Sequence, residues 1–296
     1  MERVGFVFRA LIVFSFAAFG VEHVVFGDFV TRVAPPLPAW IPWHPLWALL
    51  TGLGLIAGAA ALACGQRKAA VVMGAAFLLA AVLLHLPMAI QNPSNGGLWT
   101  RFGKGMTLAG CAFLVAESLS ARGGRVIPEW LLPRGKDLLA CFLILCGVEH
   151  FLYQEFVASL VPAWIPWHFF WTYFAGVALI AGGIGILLPR TARTALLLSG
   201  IMILAWVPLV HIPRALADLR NSNELSSVFE ALAFGSAANR VPCRNGRPLY
   251  AVLTPVPTEA TTRCTEARSC RSRLPDRAAP ARALPRQGEI AARSPA

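Results

Sequence analysis

The heptapeptide PAWIPWH occurs at residues 38–44 and again at 162–168. The chain holds only nine tryptophans, so a string that uses two of them twice needs a cause. It does not stand alone. GVEH at 20–23 returns at 147–150, LTGLGLIAG at 50–58 returns as FAGVALIAG at 174–182, and HLPMA at 85–89 returns as HIPRA at 211–215. The order is kept and the offset stays between 124 and 127 residues. A constant order at one long period is the signature of a duplicated structural unit. The expected organisation is two tandem units, residues 1–126 and 127–238, followed by a segment, 239–296, that has no counterpart.

What one unit is follows from its apolar runs. They cover 6–26, 45–64, 69–90 and 106–119 in the first unit, and 138–156, 169–188 and 192–216 in the second. An eighth begins near Val228 and stops at ANRVPCRNGRP. Crossing a bilayer core of about 30 Å takes about 20 helical residues. Charged residues make up 14% of the chain, against about 25% in a soluble domain. The expected fold is all-α and polytopic in a membrane, two tandem four-helix bundles with seven or eight transmembrane helices. The first run, preceded by Arg3 and Arg9, has the outline of a cleaved signal peptide. Its near-copy at 143–153 sits deep inside the chain, so it is read as a spanning helix.

The net charge of +11 does not indicate nucleic-acid binding. Residues 239–296 contain eleven Arg and four Asp or Glu, a surplus of +7, which leaves +4 for the rest. No basic stripe with interleaved aromatics occurs in the apolar part. The basic residues instead set an orientation, because cytoplasmic connections are enriched in Lys and Arg. Arg67 and Lys68, then Arg122, Arg125, Arg134 and Lys136, then Arg190 and Arg193 follow alternate runs, while Arg101 and Lys104 are exceptions. The N-terminus is expected in the cytoplasm. Four spans per unit make the two units parallel. The seven cysteines form no CxxC and give no metal or disulfide framework.

All six histidines belong to matched pairs: His23 with His150, His44 with His168, His85 with His211. Glu22 pairs with Glu149 in the same way. In this topology all eight lie toward the non-cytoplasmic side. Each unit is thus expected to bring a carboxylate and up to three imidazoles to one depth. Ionisable groups inside membrane spans are costly and face a bundle interior or a wet cavity. Two readings stand side by side: polar residues that only satisfy backbone carbonyls, and a site for a quinone, a haem or a proton path. No HxxxH or ExxH spacing fixes two ligands on one helix face, so no metal is indicated. The PAWIPWH strings read as rigid elbows at the membrane boundary, with Trp40, Pro42 and Trp43 in one and Trp164, Pro166 and Trp167 in the other.

GVEH, PAWIPWH, a Gly/Ala-rich span, HLP or HIP, and NSNELSSVFEALAFG together resemble the DoxX-like family of four-helix bacterial membrane proteins. The resemblance covers about residues 5–238 in two copies. It implies a multi-pass protein of the bacterial inner membrane and membrane redox work of a quinone-linked kind; the cofactor itself stays open, with the polar cluster offering a place for a quinone or a haem. It leaves open whether the chain is itself an enzyme. The alternatives are a small-solute transporter and a non-catalytic scaffold for a soluble partner. Expected partners are the lipid bilayer, a redox partner protein and a second copy of the chain. In this alignment Phe229-Glu230-Ala231 of the second unit stands against Phe102-Gly103-Lys104 of the first, which makes Glu230 a candidate found in one unit only.

The segment 239–296, with eleven Arg, eight Pro and no Phe or Trp, cannot bury enough apolar surface to fold alone. It reads as a disordered basic tail. Two origins are open, a shifted reading frame near residues 235–239 and a genuine lipid-binding tail.

Overall fold

The computed structural model describes residues 2–34, 37–38, 40–119 and 134–239. Arg122, Arg125 and the tail from residue 240 onward lie outside the described residues. Everything with regular structure inside them is helical. The elements are α1 (Glu2–Phe26), α2 (His44–Ala63), α3 (Arg67–Ala80), α4 (Leu86–Gln91), α5 (Gly96–Ser118), α6 (Gly135–Leu152), α7 (Gln154–Ser159), α8 (His168–Leu187), α9 (Ala192–Trp206), α10 (Ile212–Ala217) and α11 (Ser222–Ala238). Five helices, Gly5–Phe26, His44–Ala63, Arg67–Gln91, His168–Leu187 and Ala192–Ala217, are long and apolar enough to cross a membrane.

Two of those five are interrupted at matching places. A π-helical turn, Ala81–His85, joins α3 to α4, and another, Val207–His211, joins α9 to α10. The cause is proline. Pro87 and Pro213 follow each π turn by two residues, and Pro208 lies inside the second. A proline removes one N–H and crowds the carbonyl four residues back. A wider turn relieves that crowding while keeping the axis continuous. Each π turn ends on a histidine.

The elbows also match. Trp43 has φ 67° and Trp167 has φ 59°, both left-handed. A non-glycine residue held there costs about 1–3 kcal/mol. In each case the left-handed residue lets the next helix start at once, with His44 or His168 first. Trp47 closes the first elbow by donating its indole N–H to the Pro42 carbonyl at 3.2 Å. Trp40, Trp43, Trp164 and Trp167 are exposed.

Close helix approach is set by glycine. A Cβ on Gly20 would sit 2.6 Å from the Gly52 carbonyl and 2.7 Å from Ile56 Cγ1. A Cβ on Gly147 would meet the Gly176 carbonyl at 2.8 Å and Ile180 Cγ1 at 2.6 Å. The α1–α2 and α6–α8 crossings therefore use the same residues of the two sequence copies.

Packing departs from two self-contained bundles. α1 packs on α2 and on α11, α3 on α5, α5 on α6, α6 on α8, and α8 on α9, which returns to α11. The last helix of each sequence copy thus lies against the first helix of the other, and α5 and α11 touch each other. The described helices all belong to one compact unit. α5 and α11 are its inner helices: α5 is buried without a break from Thr107 to Ala116, and α11 is buried at most positions from Ser226 on. Large apolar side chains such as Phe14, Leu53, Val72, Leu79, Phe170 and Leu198 face outward from the helices around them.

The hydrophobic runs underestimate both inner helices. α5 starts at Gly96, ten residues before its apolar run. α11 starts at Ser222, where the Asn221 side chain accepts a hydrogen bond from the Asn223 N–H, and continues to Ala238. Its end is closed by Asn239, buried and donating to the Gly235 carbonyl at 2.8 Å. It is shorter than α5, yet it is sheathed by α1, α9 and α5. The first turns of both helices, residues 96–99 and 222–225, carry too few apolar residues to extend a hydrophobic run.

Candidate functional site

The two GVEH glutamates find their partners on the opposite copy. Glu22, in the last turn of α1 and 3% exposed, accepts a hydrogen bond from Ser226 Oγ on α11 at 2.7 Å. Glu149, near the end of α6, accepts from Thr100 Oγ1 on α5 at 2.7 and 2.8 Å. Thr100 and Ser226 each stand five residues past the asparagine that precedes their helix, Asn95 and Asn221. Each hydroxyl also reaches the carbonyl four residues back, Gly96 O at 3.0 Å and Ser222 O at 2.7 Å. A hydroxyl has one proton, so the two oxygens it faces share it.

Between these pairs lies an ion pair. Lys104 Nζ on α5 is 2.6 Å from Glu230 Oε2 on α11, with 14% and 3% of the two side chains exposed. Arg32, from the segment after α1, stands 3.6 Å from the same carboxylate oxygen. Counting from Asn95 and Asn221, Lys104 and Glu230 are the matched residues. The alignment that set Glu230 against Gly103 is therefore one residue out of register. Glu230 is not a feature of one copy alone; its counterpart is a lysine, and the two bind each other.

The histidines divide into three kinds. His23 is a structural pin: Nδ1 bonds the Phe19 carbonyl at 2.7 Å, and Nε2 accepts the Val30 N–H at 3.4 Å. His150 repeats the first bond, to the Cys146 carbonyl at 2.6 Å. His44 and His168 belong to the elbows. His44 Nε2 bonds Pro38 O at 3.2 Å, and no hydrogen bond among the described residues ties either ring to the buried carboxylates. Both elbow rings are half-buried, and the backbone occupies both nitrogens of His23.

His85 and His211, at the ends of the π turns, are the third kind. His85 is 2% exposed, bonds the backbone of Val33, and has a buried Nε2 without a partner. His211 has a buried Nδ1 without a partner. Glu22 Oε1 and Glu230 Oε1 are likewise buried and unpartnered. An unmet buried polar atom costs about 1–3 kcal/mol, so these four atoms mark where a polar guest would be welcome.

The segment 27–34 roofs this interior. Val30 is held by His23, Val33 by His85, Thr31 by Asn223 at 3.3 Å, and Arg32 by Glu230. In the second copy the corresponding stretch is the short helix α7, and Tyr153 just before it accepts the Gly96 N–H and donates to Ser94 O. Sequence reasoning missed Arg32, Thr100, Lys104 and Ser226. One signal pointed to Lys104: it broke the charge pattern of the loops because it is not in a loop.

Both His23 nitrogens are used and His44 and His168 sit in the elbows, which leaves His85 and His211 as the rings with a buried nitrogen that lacks a partner. Among the described residues no group of three or more His, Cys, Asp or Glu is placed to hold a metal ion.

Neither a curated protein nor a solved structure matches the chain. A family model described as "Domain of unknown function (DUF8561)" matches residues 139–235, the stretch from α6 into α11.

Proposed function

We propose that the chain is a DoxX-like integral membrane protein, built by duplication of a four-helix unit, and that its shared polar centre is the quinone-linked site of a membrane redox subunit. Several observations support the membrane reading. Five helices have the length and apolarity of spans, and the surface around them carries large apolar side chains. A soluble protein does not leave so much apolar area in water. The duplication is supported by matched motifs that take the same local shape: both elbows left-handed, both HxP motifs behind a π turn, both GVEH glutamates bound to a hydroxyl of the other copy. The DUF8561 match, which covers one copy only, agrees with a unit of that length.

The observation that carries the site is the set of unpartnered buried atoms on His85, His211, Glu22 and Glu230. His211 would donate from its free ring nitrogen to a carbonyl oxygen of the head group, and His85, whose ring donates to the Val33 backbone, would offer its Nε2 lone pair to a hydroxyl of the reduced head group. A bound quinone supplies two-electron chemistry that takes up two protons on reduction. The chain's own part is to bind, to exclude water with the roof over 27–34, and to keep protons at the Glu22–Ser226 and Glu149–Thr100 pairs.

The test is purification in mild detergent, solvent extraction and chromatography of the extract. Co-purified quinone that falls at least tenfold in His85→Ala and His211→Ala supports the site. An extract without quinone, with uptake activity in vesicles or a bound soluble partner, rejects it in favour of transport or scaffolding.

A further inference from the structure

Arg101 lies in the second turn of α5 and is partly buried, yet among the described residues it has no ion pair and no hydrogen bond. It shares a helix face with Lys104 and Gly105, three and four residues on. His85 is the neighbour on that face: a Cβ on Gly105 would meet His85 Cδ2 at 3.8 Å. Arg101 is within electrostatic reach of His85 and of the Arg32 guanidinium. Arg32 is not fully engaged either, because 3.6 Å to Glu230 exceeds a hydrogen bond. Lys104 already meets that carboxylate at 2.6 Å. Arg32 and Lys104 therefore share the Glu230 carboxylate, and Arg101, one turn before Lys104 on α5, adds a third cation that has no anion of its own among the described residues; Glu22, held by Ser226, is the further carboxylate in range of Arg32 and Glu230. Two guanidiniums with so little to bind repel each other, and burial weakens the screening.

We propose that Arg101 and Arg32 form a binding site for a phosphate-type oxyanion. A guanidinium presents two parallel N–H donors to such a group. Two of them from different segments would grip it from two sides and remove their mutual repulsion. The phosphate is either free in solution or the head group of an anionic phospholipid. The second copy has no equivalent site: Ser227 stands in place of Arg101, and α7 replaces the segment that carries Arg32. The site needs no redox chemistry, so its test is separate from that of the quinone reading.

The experiment uses the full chain in detergent and in nanodiscs. Inorganic phosphate is titrated at constant ionic strength against chloride, and the thermal midpoint is followed. Native mass spectrometry compares retention of phosphatidylglycerol with that of phosphatidylcholine. A saturable rise with phosphate identifies a free-anion site. Selective retention of phosphatidylglycerol alone identifies the head group, and both together identify the shared phosphate. Arg101→Gln should weaken the response at least tenfold, Arg101→Lys should weaken it less, and Arg220→Gln, an exposed arginine, should leave it unchanged. If Arg101→Gln does not fold, Arg101→Lys carries the test alone. No response to either ligand, or equal responses from wild type and the Arg101 variants, overturns the proposal.

Discussion

Lys104 Nζ lies 2.6 Å from Glu230 Oε2, and each residue is nine positions past the asparagine that starts its helix. Equivalent positions of the two sequence copies thus face each other, as residues on a twofold axis do. Two identical copies would set lysine against lysine or glutamate against glutamate there. The pairing works because the copies differ.

Breaking that pair should be costly. Lys104→Met leaves a buried carboxylate with only the more distant Arg32, and removing one partner of a buried pair costs about 3–5 kcal/mol. The thermal midpoint in detergent should fall clearly. The reversal Lys104→Glu with Glu230→Lys should recover much of the loss; a double variant no better than the worse single one would refute the pairing.

The interleaved packing makes the halves interdependent. Co-expressed fragments 1–126 and 127–239 should co-purify as a heterodimer, since α5 needs α6 and α11 needs α1. Lys104→Glu in the first fragment should abolish recovery, and adding Glu230→Lys in the second should restore it. Fragments that each purify alone as compact monomers would contradict the shared interior.

At Glu22 and Glu149 glutamine should be tolerated and alanine should not. A glutamine side chain can still donate to or accept from Ser226 or Thr100, whereas alanine removes that hydrogen bond, worth about 0.5–1.5 kcal/mol, and leaves a cavity, with the hydroxyl falling back on the carbonyl four residues before it. Thermal melts of the four variants read this directly. Equal melts for the glutamine and alanine variants at one site would place that carboxyl outside the network.

Glycine substitutions in the spans should separate sharply by position. Gly20→Ala and Gly147→Ala push a methyl group into backbone oxygen at 2.6 and 2.8 Å and should lower both yield and midpoint. Gly54→Ala meets nothing within 4 Å and should hold or raise the midpoint by helix propensity, worth up to about 1 kcal/mol. Comparable losses at all three would mean that α1–α2 and α6–α8 do not approach so closely.

Much of this architecture could be read from the residues. The motif order, the long apolar helices and the elbows were legible because each is written in local chemistry: apolar length, proline, tryptophan. The inner helices were harder. α5 and α11 are wrapped by protein, so they carry Thr100, Lys104, Ser226 and Glu230 where an outer span carries Leu or Val. Hydropathy therefore placed their starts too late. The same feature concealed the site. Glu22 and Glu149 were visible as a matched pair, but their partners differ in residue type between the copies, Ser226 against Thr100 and Lys104 against Glu230. A one-residue slip in aligning the poorly matched helices hid that correspondence. The histidines misled in the other direction: a repeated letter does not distinguish a ring that braces its own backbone, as His23 does, from one left with a spare nitrogen, as His85 is.

The tryptophans give the molecule a grip at one end. Trp40, Trp43, Trp47, Trp99, Trp164, Trp167 and Trp171 all lie in the elbows or in the opening turns of α2, α5 and α8. In a bilayer such indoles settle at the head-group level. With two of them locked by left-handed backbone, the protein would be moored to a single leaflet, and a thicker or thinner lipid would be felt at the opposite end, leaving the Lys104–Glu230 pair at constant depth below the moored surface.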